Sequence, residues 1–493
     1  MGFDKNGTDV VGLAVSYLNK KLKANISTEY YSNIRTWREW WEGYVDEVHS
    51  YRELGVDNAP RKRKMYRLGM AKRVTEDWAA ILLNEKTEIV VEHKGSGEFL
   101  QGKDGDGIGG VFGYNKFWAE GNELLEKAFA YGTGAFVVRA EGVKVNGNGA
   151  VVPDANCRVG IEYIDALGII PLSIEKSTIT EVAFVSEFTK RGKECVYLET
   201  HTKAENGNYQ IENEYFILDG GQLKPDALPE GVAPSINTGS NIPWFAIVTP
   251  NITNNIRHNN GLGMSVYANA LDTLLGVDIA YNNFLRDFKL GGKKVFYNKS
   301  MLQTNDKGET ITPDDVAQQL FQQIGDGLDF DAKSMVQEFN PSLRVAENKE
   351  GVQAQLDYLS FKCGMGTHRY QFENSGVKTA TEYNGERQEL VQHANRHMIT
   401  LEGALKSLCV SILYIGKAFC GADCDPATKI VINFEDGFVI DDETRRERDR
   451  QDVRDGLMNA YEFRMKWYGE DEATAKAKLN DMKTAQTNPF GFV

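Results

Sequence analysis

Two pairs of side chains in this sequence have the spacing of a metal site. His393-x-x-x-His397 sets two imidazoles one helical turn apart, and Cys420-x-x-x-Cys424 supplies two thiols about 23 residues further on. Imidazole and thiolate together suit a zinc ion. A zinc protease would also need a glutamate directly after the first histidine, and Ala394 stands there. A Cys-x-x-x-Cys pair around a Gly-Ala-Asp link is looser than the usual two-residue hook. On a polar helix face both imidazoles are expected to be solvated. No metal and no cofactor is expected, and a metal-dependent hydrolase is kept only as the alternative.

The remaining chemistry-bearing residues are no closer to an active site. Asp314-Asp315 and Asp441-Asp442 are paired carboxylates that read as helix N-terminal or solvated charges. The glycine-rich QGKDGDGIGGVFGYN (101–115) has no Gly-Lys-Ser/Thr after it and no clear strand running into it, so it reads as a mobile loop. No nucleophile elbow, Walker sequence or Cys/His nucleophile pair occurs, and an enzyme is not expected. Trp37, Trp40, Trp41 and Tyr44 are spaced for packing on a helix rather than for stacking bases. RKRKMYR (61–67) is the only dense basic run. It reads as a solvated face or a contact with an acidic neighbouring subunit.

The whole chain of 493 residues carries 70 acidic against 56 basic side chains, a formal charge of -14. That balance argues against a protein that grips nucleic acid electrostatically. Its length allows two to four domains. Six scattered cysteines form no disulfide framework and suggest a reducing compartment. There is no charged start followed by an apolar run at the N-terminus, and no window approaches 18 uninterrupted apolar residues. A soluble, cytosolic origin with no membrane contact is expected.

These residues must be held by elements, and one dominates. From Thr379 to Phe419 there is no proline. Apolar residues Leu390, Ala394, Met398, Leu401, Leu405, Leu408, Ile412, Ile415 and Phe419 recur every three or four positions. As one helix this segment would run about 60 Å. Ahead of it, 345–363 reads as a second helix with Val352, Leu356, Leu359 and Cys363 on one side. Between the two lies a glycine-containing loop carrying Arg369 and Lys378 against one acid, Glu373.

A third helix spans 264–290, where Tyr267, Ala270, Leu274, Val277, Tyr281, Phe284 and Phe288 form a heptad-like seam. It ends at Gly291-Gly292. An insert of about 55 residues (291–345) follows, read as a strand, a turn and the Gln-rich helix TPDDVAQQLFQQI. Upstream, 8–24, 27–49, 65–85 and 116–131 read as helices. The stretch from the AFVVRA strand after Gly134 to about 250 is β-rich, its strands separated by NGNG, RGKE, ENGN and LDGG turns. The fold class is α+β, mainly helical. The C-terminal part is a strand and a charged helical tail.

In order along the chain, several segments resemble the portal proteins of tailed bacteriophages, of the long-tailed type. They are Trp37-x-x-Trp40-Trp41-x-Gly43, GMAKRVTEDWAAILLNEKTEIVVE (69–92), AYGTGAFVV (130–138) and above all GLGMSVYANALDTLLGVDIAYNNFLRDFKLGGKKVF (261–296). INFEDGFVIDDETRRERDRQDVRDGLMNAYE (432–462) completes the set. The resemblance implies a wing at 1–263, stem helices at 264–290 and 346–363, and a clip at 291–345. It also implies a tunnel loop at 364–378, a long wing helix at 379–420 and a short crown within 421–493.

It further implies a homo-oligomeric ring, usually of twelve subunits, at a capsid vertex of the virion and in the host cytoplasm during assembly. Viral double-stranded DNA would slide through the ring without being read. A terminase motor, major capsid and scaffolding proteins and a tail adaptor are the implied partners. Within that frame Arg369 and Lys378 are expected to touch DNA, and Asp314 and Asp315 to meet the motor. Tyr267, Leu274, Tyr281, Phe284 and Phe288 are expected to seal the stem. An acidic subunit suits a conduit, since a strongly basic lumen would bind DNA and stall it. Another oligomeric virion protein, such as a minor head protein, is the second alternative.

Overall fold

The computed structural model of the chain describes residues 9–54, 59–84, 86–103, 109–146, 151–152, 157–229, 232–297, 321–323, 336–371, 380–434, 442–455 and 458–487. Helix α1 (Val10–Leu22) is capped by Asp9, whose carboxylate accepts the Gly12 N–H at 2.9 Å, and buries Val10, Val11, Ala14, Val15 and Leu18. Helix α2 (Tyr30–Trp41) places Tyr30, Tyr31, Ile34, Trp37 and Trp40 inward, so the aromatic cluster is core. The aromatic stretch expected as one helix over 27–49 is in fact two, with short α3 (Asp46–His49) after a break.

The basic run forms part of a two-stranded antiparallel ribbon of β1 (Ser50–Leu54) and β2 (Pro60–Lys64), with β2 exposed throughout. This shortens the helix expected over 65–85. Helix α4 (Met70–Leu82) starts only after Gly69, whose φ of 68° is a left-handed turn that a side chain resists. Strand β3 (Glu88–Val91) follows, then α5 (Lys94–Gln101). Next come α6 (Gly110–Tyr114), a short helix within the expected glycine-rich loop, and α7 (Phe117–Tyr131). Gly132 ends α7 where the chain passes close to Gly263; a Cβ there would lie 2.5 Å from the Gly263 carbonyl oxygen.

The β-rich region makes two antiparallel sheets. The first has β4 (Gly134–Glu141) at its centre, with β7 (Arg158–Asp165) and β14 (Phe245–Val248) beside it; the hairpin β5 (Lys144–Val145)–β6 (Val151–Val152) lies between β4 and β7 in sequence. The second runs β12 (Gln222–Asp226), β11 (Tyr209–Asp219), β10 (Lys193–Lys203), β9 (Thr178–Lys190), β8 (Ile169–Glu175), with β13 (Ser235–Asn237) added to β11. The Gly220-Gly221 turn has φ of 59° and 74°, both residues left-handed, as a tight hairpin between right-twisted strands needs. Helix α7 packs on β4 and β7.

Helix α8 (Leu271–Leu290) begins seven residues later than the seam suggested, after a single 3-10 turn at Ala268–Ala270. Tyr267 is in phase with the seam but outside the helix, its hydroxyl donating to the Trp37 carbonyl at 2.8 Å. The insert contains a small sheet with β15 (Lys294–Tyr297) between β16 (Phe321–Gln323), parallel, and β17 (Val336–Phe339), antiparallel. Phe321–Gln323, expected as the end of a Gln-rich helix, is therefore strand. Helix α9 (Val345–Lys362) packs along α8.

Helix α10 (Ala380–Ala418) is 39 residues long. It crosses α4, α5, β4, β7, β14 and β18 (Ile430–Asn433), and β18 itself pairs with β3. Leu401, Leu405, Leu408, Ile412 and Ile415 are 2% exposed or less. Each such side chain contributes about 1.5–3 kcal/mol by burial. Gln388–Ala418 has the length and hydropathy of a membrane span, but half of it is buried inside the fold. Helices α11 (Asp442–Arg454), α12 (Ala460–Tyr468) and α13 (Glu472–Thr487) close the chain and pack on one another in sequence.

Candidate functional site

The α8–α9 pair is antiparallel, as two contacts at opposite ends show. Near the end of α8, Asp287 accepts the Arg344 N–H at 3.1 Å, the Arg344 guanidinium at 2.9 Å and the Asn348 amide at 3.1 Å. Hydrogen bonding to Arg344 holds the Asp287 carboxyl below its usual range. Eleven residues back along α8, Gly276 leaves room for Gln355, whose Oε1 would be 2.6 Å from an added Cβ. Both chain crossings into the insert thus emerge at one end of the pair. Of the expected seam, Tyr267, Leu274 and Val277 are buried, Tyr281 and Phe284 half-buried, and Phe288 is 45% exposed. Ile279, Leu290, Tyr358 and Phe361 also face outward, at 42%, 54%, 62% and 54% exposure. Lys293 and Glu338 pair at 2.7 Å at the insert's base. Asp314 and Asp315 lie outside the described residues.

After α9, Gly364 and Gly366 (φ 75° and 79°) turn the chain sharply, and the Met365 N–H returns to the Ser360 carbonyl at 2.9 Å. The Trp78 indole donates to the Cys363 carbonyl at 3.2 Å, tying this turn to α4. Arg369 then lies 3.6 Å from Asp77 Oδ1, and Asp77 also takes Arg73 at 2.9 Å. The loop's first cation is therefore turned toward a carboxylate of its own chain. Lys378 and Glu373 lie outside the described residues.

Helix α10 does not present its imidazoles as a solvated pair. His397 is 4% exposed, wedged edge-on between Trp78 (4.8 Å between ring centres) and Phe129 (4.9 Å). Its Nδ1 accepts the Asn251 N–H at 2.9 Å. Burial, helped by His393 and Arg396, pulls its pKa down to about 3. His393 instead lies against Gly364. Nor are Cys420 and Cys424 two free thiols. Cys420 is disulfide-bonded to Cys157, with Cα atoms 4.9 Å apart and 263 positions between them, while Cys424 is buried and reduced. This corrects the expectation of unpaired cysteines. With one imidazole nitrogen committed to the backbone and one sulfur to a disulfide, the four residues do not form a ligand set. Among the described residues no group of three His, Cys, Asp or Glu side chains is arranged to hold a metal.

More side-chain bonds pin α10 to the segment between the two sheets and α8. Thr400 donates to the Thr249 carbonyl at 3.1 Å, Ser411 to Pro243 at 2.6 Å and Tyr414 to Thr238 at 2.8 Å. The long helix thus joins the N-terminal sheets to the loop that follows α9.

Sequence reasoning missed a second polar cluster. Arg139 on β4 donates to Glu199 on β10 at 2.7 Å and to Glu162 on β7 at 3.0 Å, and His201 meets Glu199 at 2.7 Å. Burial raises the Glu199 pKa, yet Arg139 and His201 outweigh it and hold the carboxyl at about 2. The only signal in the sequence was charge at inward positions of β-rich runs, since the three partners come from three strands.

A helix pair that flanks an insert, feeds a sharp turn and continues into a 39-residue helix is an arrangement for building a wall and presenting loops, not for enclosing a substrate. A family model described as phage portal protein, SPP1 Gp6-like, matches residues 20–448. No curated protein matches the chain.

Proposed function

The chain belongs to the phage portal protein family, which its match over 20–448 of 493 residues establishes, and from that membership we propose how its parts serve the portal. As a portal it is a ring-forming, structural component of the channel at one capsid vertex, through which DNA is packaged and ejected. Helices α8 and α9 act as the stem and the insert 291–345 as the clip. The turn and loop 364–378 line the tunnel, and α10 carries the wing to the channel. The ring has about twelve copies, docks the packaging motor and later the tail adaptor through the clip, and meets capsid and scaffolding proteins through the wing. Assembly takes place in the host cytoplasm.

The observation that carries this reading is the set of exposed apolar side chains on the stem pair. Ile279, Phe288, Leu290, Tyr358 and Phe361 stay 42–62% exposed, although Leu274 and Val277 of α8 and Leu356 and Leu359 of α9 are buried. Exposed apolar residues clustered on a helix pair call for a partner surface. In a closed ring of heterologous contacts the neighbouring stem supplies it. Negative-stain images of the purified chain test the proposal: rings with a central hole are expected, and uniformly compact monomers at micromolar concentration would sink it.

A further inference from the structure

The connection between α9 and α10 has more chain than its span requires. Gly364, near its start, lies against His393, thirteen residues after Ala380 opens α10. At 1.5 Å per residue the start of α10 is therefore about 20 Å away. The stretch from Met365 to Thr379 could reach about 50 Å if fully extended. Length alone does not fix the path of this segment, so anchors at its base must.

Two sets of anchors are present, from two parts of the fold. Helix α9 holds the backbone: Ser360 Oγ accepts the Arg369 N–H at 3.3 Å, and the Gln353 amide donates to the Tyr370 carbonyl at 3.0 Å. Helix α4 holds the side chains, through one buried carboxylate. Asp77 Oδ1 takes Arg73 at 2.9 Å and has Arg369 at 3.6 Å. Its other oxygen, Oδ2, is buried without a hydrogen-bond partner among the described residues, and so is the Tyr370 hydroxyl. The two groups are neighbours: after burial itself, the charge of Asp77 is the largest influence raising the Tyr370 pKa. A donor and an acceptor buried and unpaired are costly, and a small turn of the phenol pairs them. The next residue, Trp78, ties α4 to both flanks of the loop, its N–H on the Cys363 carbonyl and its ring against His397 of α10.

We propose that Asp77 is the positioning residue for the tunnel loop, holding Arg369 through Oδ1 and the Tyr370 hydroxyl through Oδ2. The wing, and not the stem alone, then sets where the chain leaves the channel wall, and with it the reach of Lys378. This rests on the tunnel-loop reading above and adds the residue that directs the loop.

Trypsin reads this anchor directly, because cleavage after Arg369 requires that side chain to leave Asp77, whereas cleavage after Lys378 does not. In full-length Asp77→Asn, which keeps the shape and loses the charge, the ratio of initial cleavage rates after Arg369 and after Lys378 should rise several-fold. Tyr370→Phe, which removes only the hydroxyl, should raise the ratio less. A general loss of stability would raise both rates together and leave the ratio unchanged. In procapsids Asp77→Asn should lower the DNA packaged or retained. Adding it to Lys378→Glu should lower that yield little further, since both act through the loop. An unchanged cleavage ratio in both variants, or full losses that multiply in the combined variant, overturns the proposal. A raised ratio with wild-type packaging in Asp77→Asn and Lys378→Glu alike would keep the anchor and count against the tunnel-loop reading instead.

Discussion

His49 and Asp278, 229 positions apart, meet 3.1 Å from each other inside the protein and lock the aromatic N-terminal corner to α8. His49 Nδ1 accepts the Val45 N–H at 2.9 Å, so the ring's proton sits on Nε2 and is donated to Asp278 Oδ2. The other carboxyl oxygen accepts the Leu68 N–H at 2.7 Å, just before Gly69 opens α4. Trp40 covers the imidazole edge-on at 5.1 Å. Burial lowers the His49 pKa and raises that of Asp278, so both shifts disfavour charge. The contact is a buried hydrogen bond more than an ion pair.

Removing the acceptor should therefore cost more than removing the charge. Asp278→Ala leaves the Leu68 N–H and the His49 Nε2–H without partners, a loss of about 2–5 kcal/mol. Asp278→Asn keeps one of the two acceptors, enough for the Leu68 N–H, and should cost less than Asp278→Ala. Denaturant unfolding of the two variants measures the difference; equal losses would mean that charge, not bonding, matters there.

His397 gives the fold a pH dependence. Its pKa is about 3 in the folded chain against about 6.5 when exposed, so the unfolded chain binds the extra proton between those values. The stability tied to the neutral ring is complete above about pH 6.5 and falls as pH drops. The fall is about 2 kcal/mol by pH 5. Glu187, pushed up to about 7, works with the opposite sign, which makes the difference between wild type and His397→Asn the quantity to follow. The variant should be less stable at pH 8 and close the gap by pH 5. A gap independent of pH would show that His397 is not held neutral.

The Cys157–Cys420 disulfide links the start of β7 to the end of α10 across 263 positions. In the chain-entropy account a loop of that size is stabilised by about 5 kcal/mol. Thiol titration of the unfolded, unreduced chain should find four free thiols of the six cysteines, and a reductant should lower the melting temperature of wild type but not of Cys157→Ser. Six free thiols in carefully oxidised protein would contradict the pairing.

The stem's outward face predicts an assembly defect without a folding defect. Tyr358→Asp with Phe361→Asp changes side chains that are 62% and 54% exposed, so the fold should lose less than about 0.5 kcal/mol per site. Placing two carboxylates in an apolar ring contact should prevent closure. Unchanged melting with a shift from ring to monomer in light scattering is the expected pair of results.

What the sequence revealed depended on whether a signal was local. The α10 stripe lies within one stretch of chain, and its residues from Leu390 to Phe419 are buried almost without exception. The Gly220-Gly221 hairpin was equally local. Burial of His397 was not legible, because Trp78 and Phe129, which cover it, come from α4 and α7. For the same reason Cys157 gave no hint of Cys420. The heptad phase of Tyr267 was correct about burial and wrong about helix: an apolar period marks which side faces the core, and the Trp37 carbonyl, not an α-helical turn, fixes that tyrosine. Arg369 and Lys378 looked equivalent in sequence; Arg369 lies against Asp77, which comes from α4, and Lys378 lies outside the described residues.

The Arg369–Asp77 contact shapes the test of the tunnel loop. Arg369 lies 3.6 Å from Asp77, whose side chain is only 7% exposed, so Arg369→Glu would set a second carboxylate against a nearly buried one and damage the fold whatever it does to DNA. Lys378 is the second cation that the resemblance assigns to this loop. In a ring its charge would repeat around the channel, each copy making a weak phosphate contact that steadies DNA without the many-fold neutralisation that binds it tightly. Lys378→Glu should leave ring assembly and procapsid incorporation normal while lowering the DNA packaged or retained per procapsid by several-fold. Arg369→Gln, which keeps a donor near Asp77 but loses the cation, should have a smaller effect, because part of that charge is spent within the subunit. Packaged DNA per procapsid decides the matter: wild-type yield and retention in Lys378→Glu rings would show that the loop does not touch the genome.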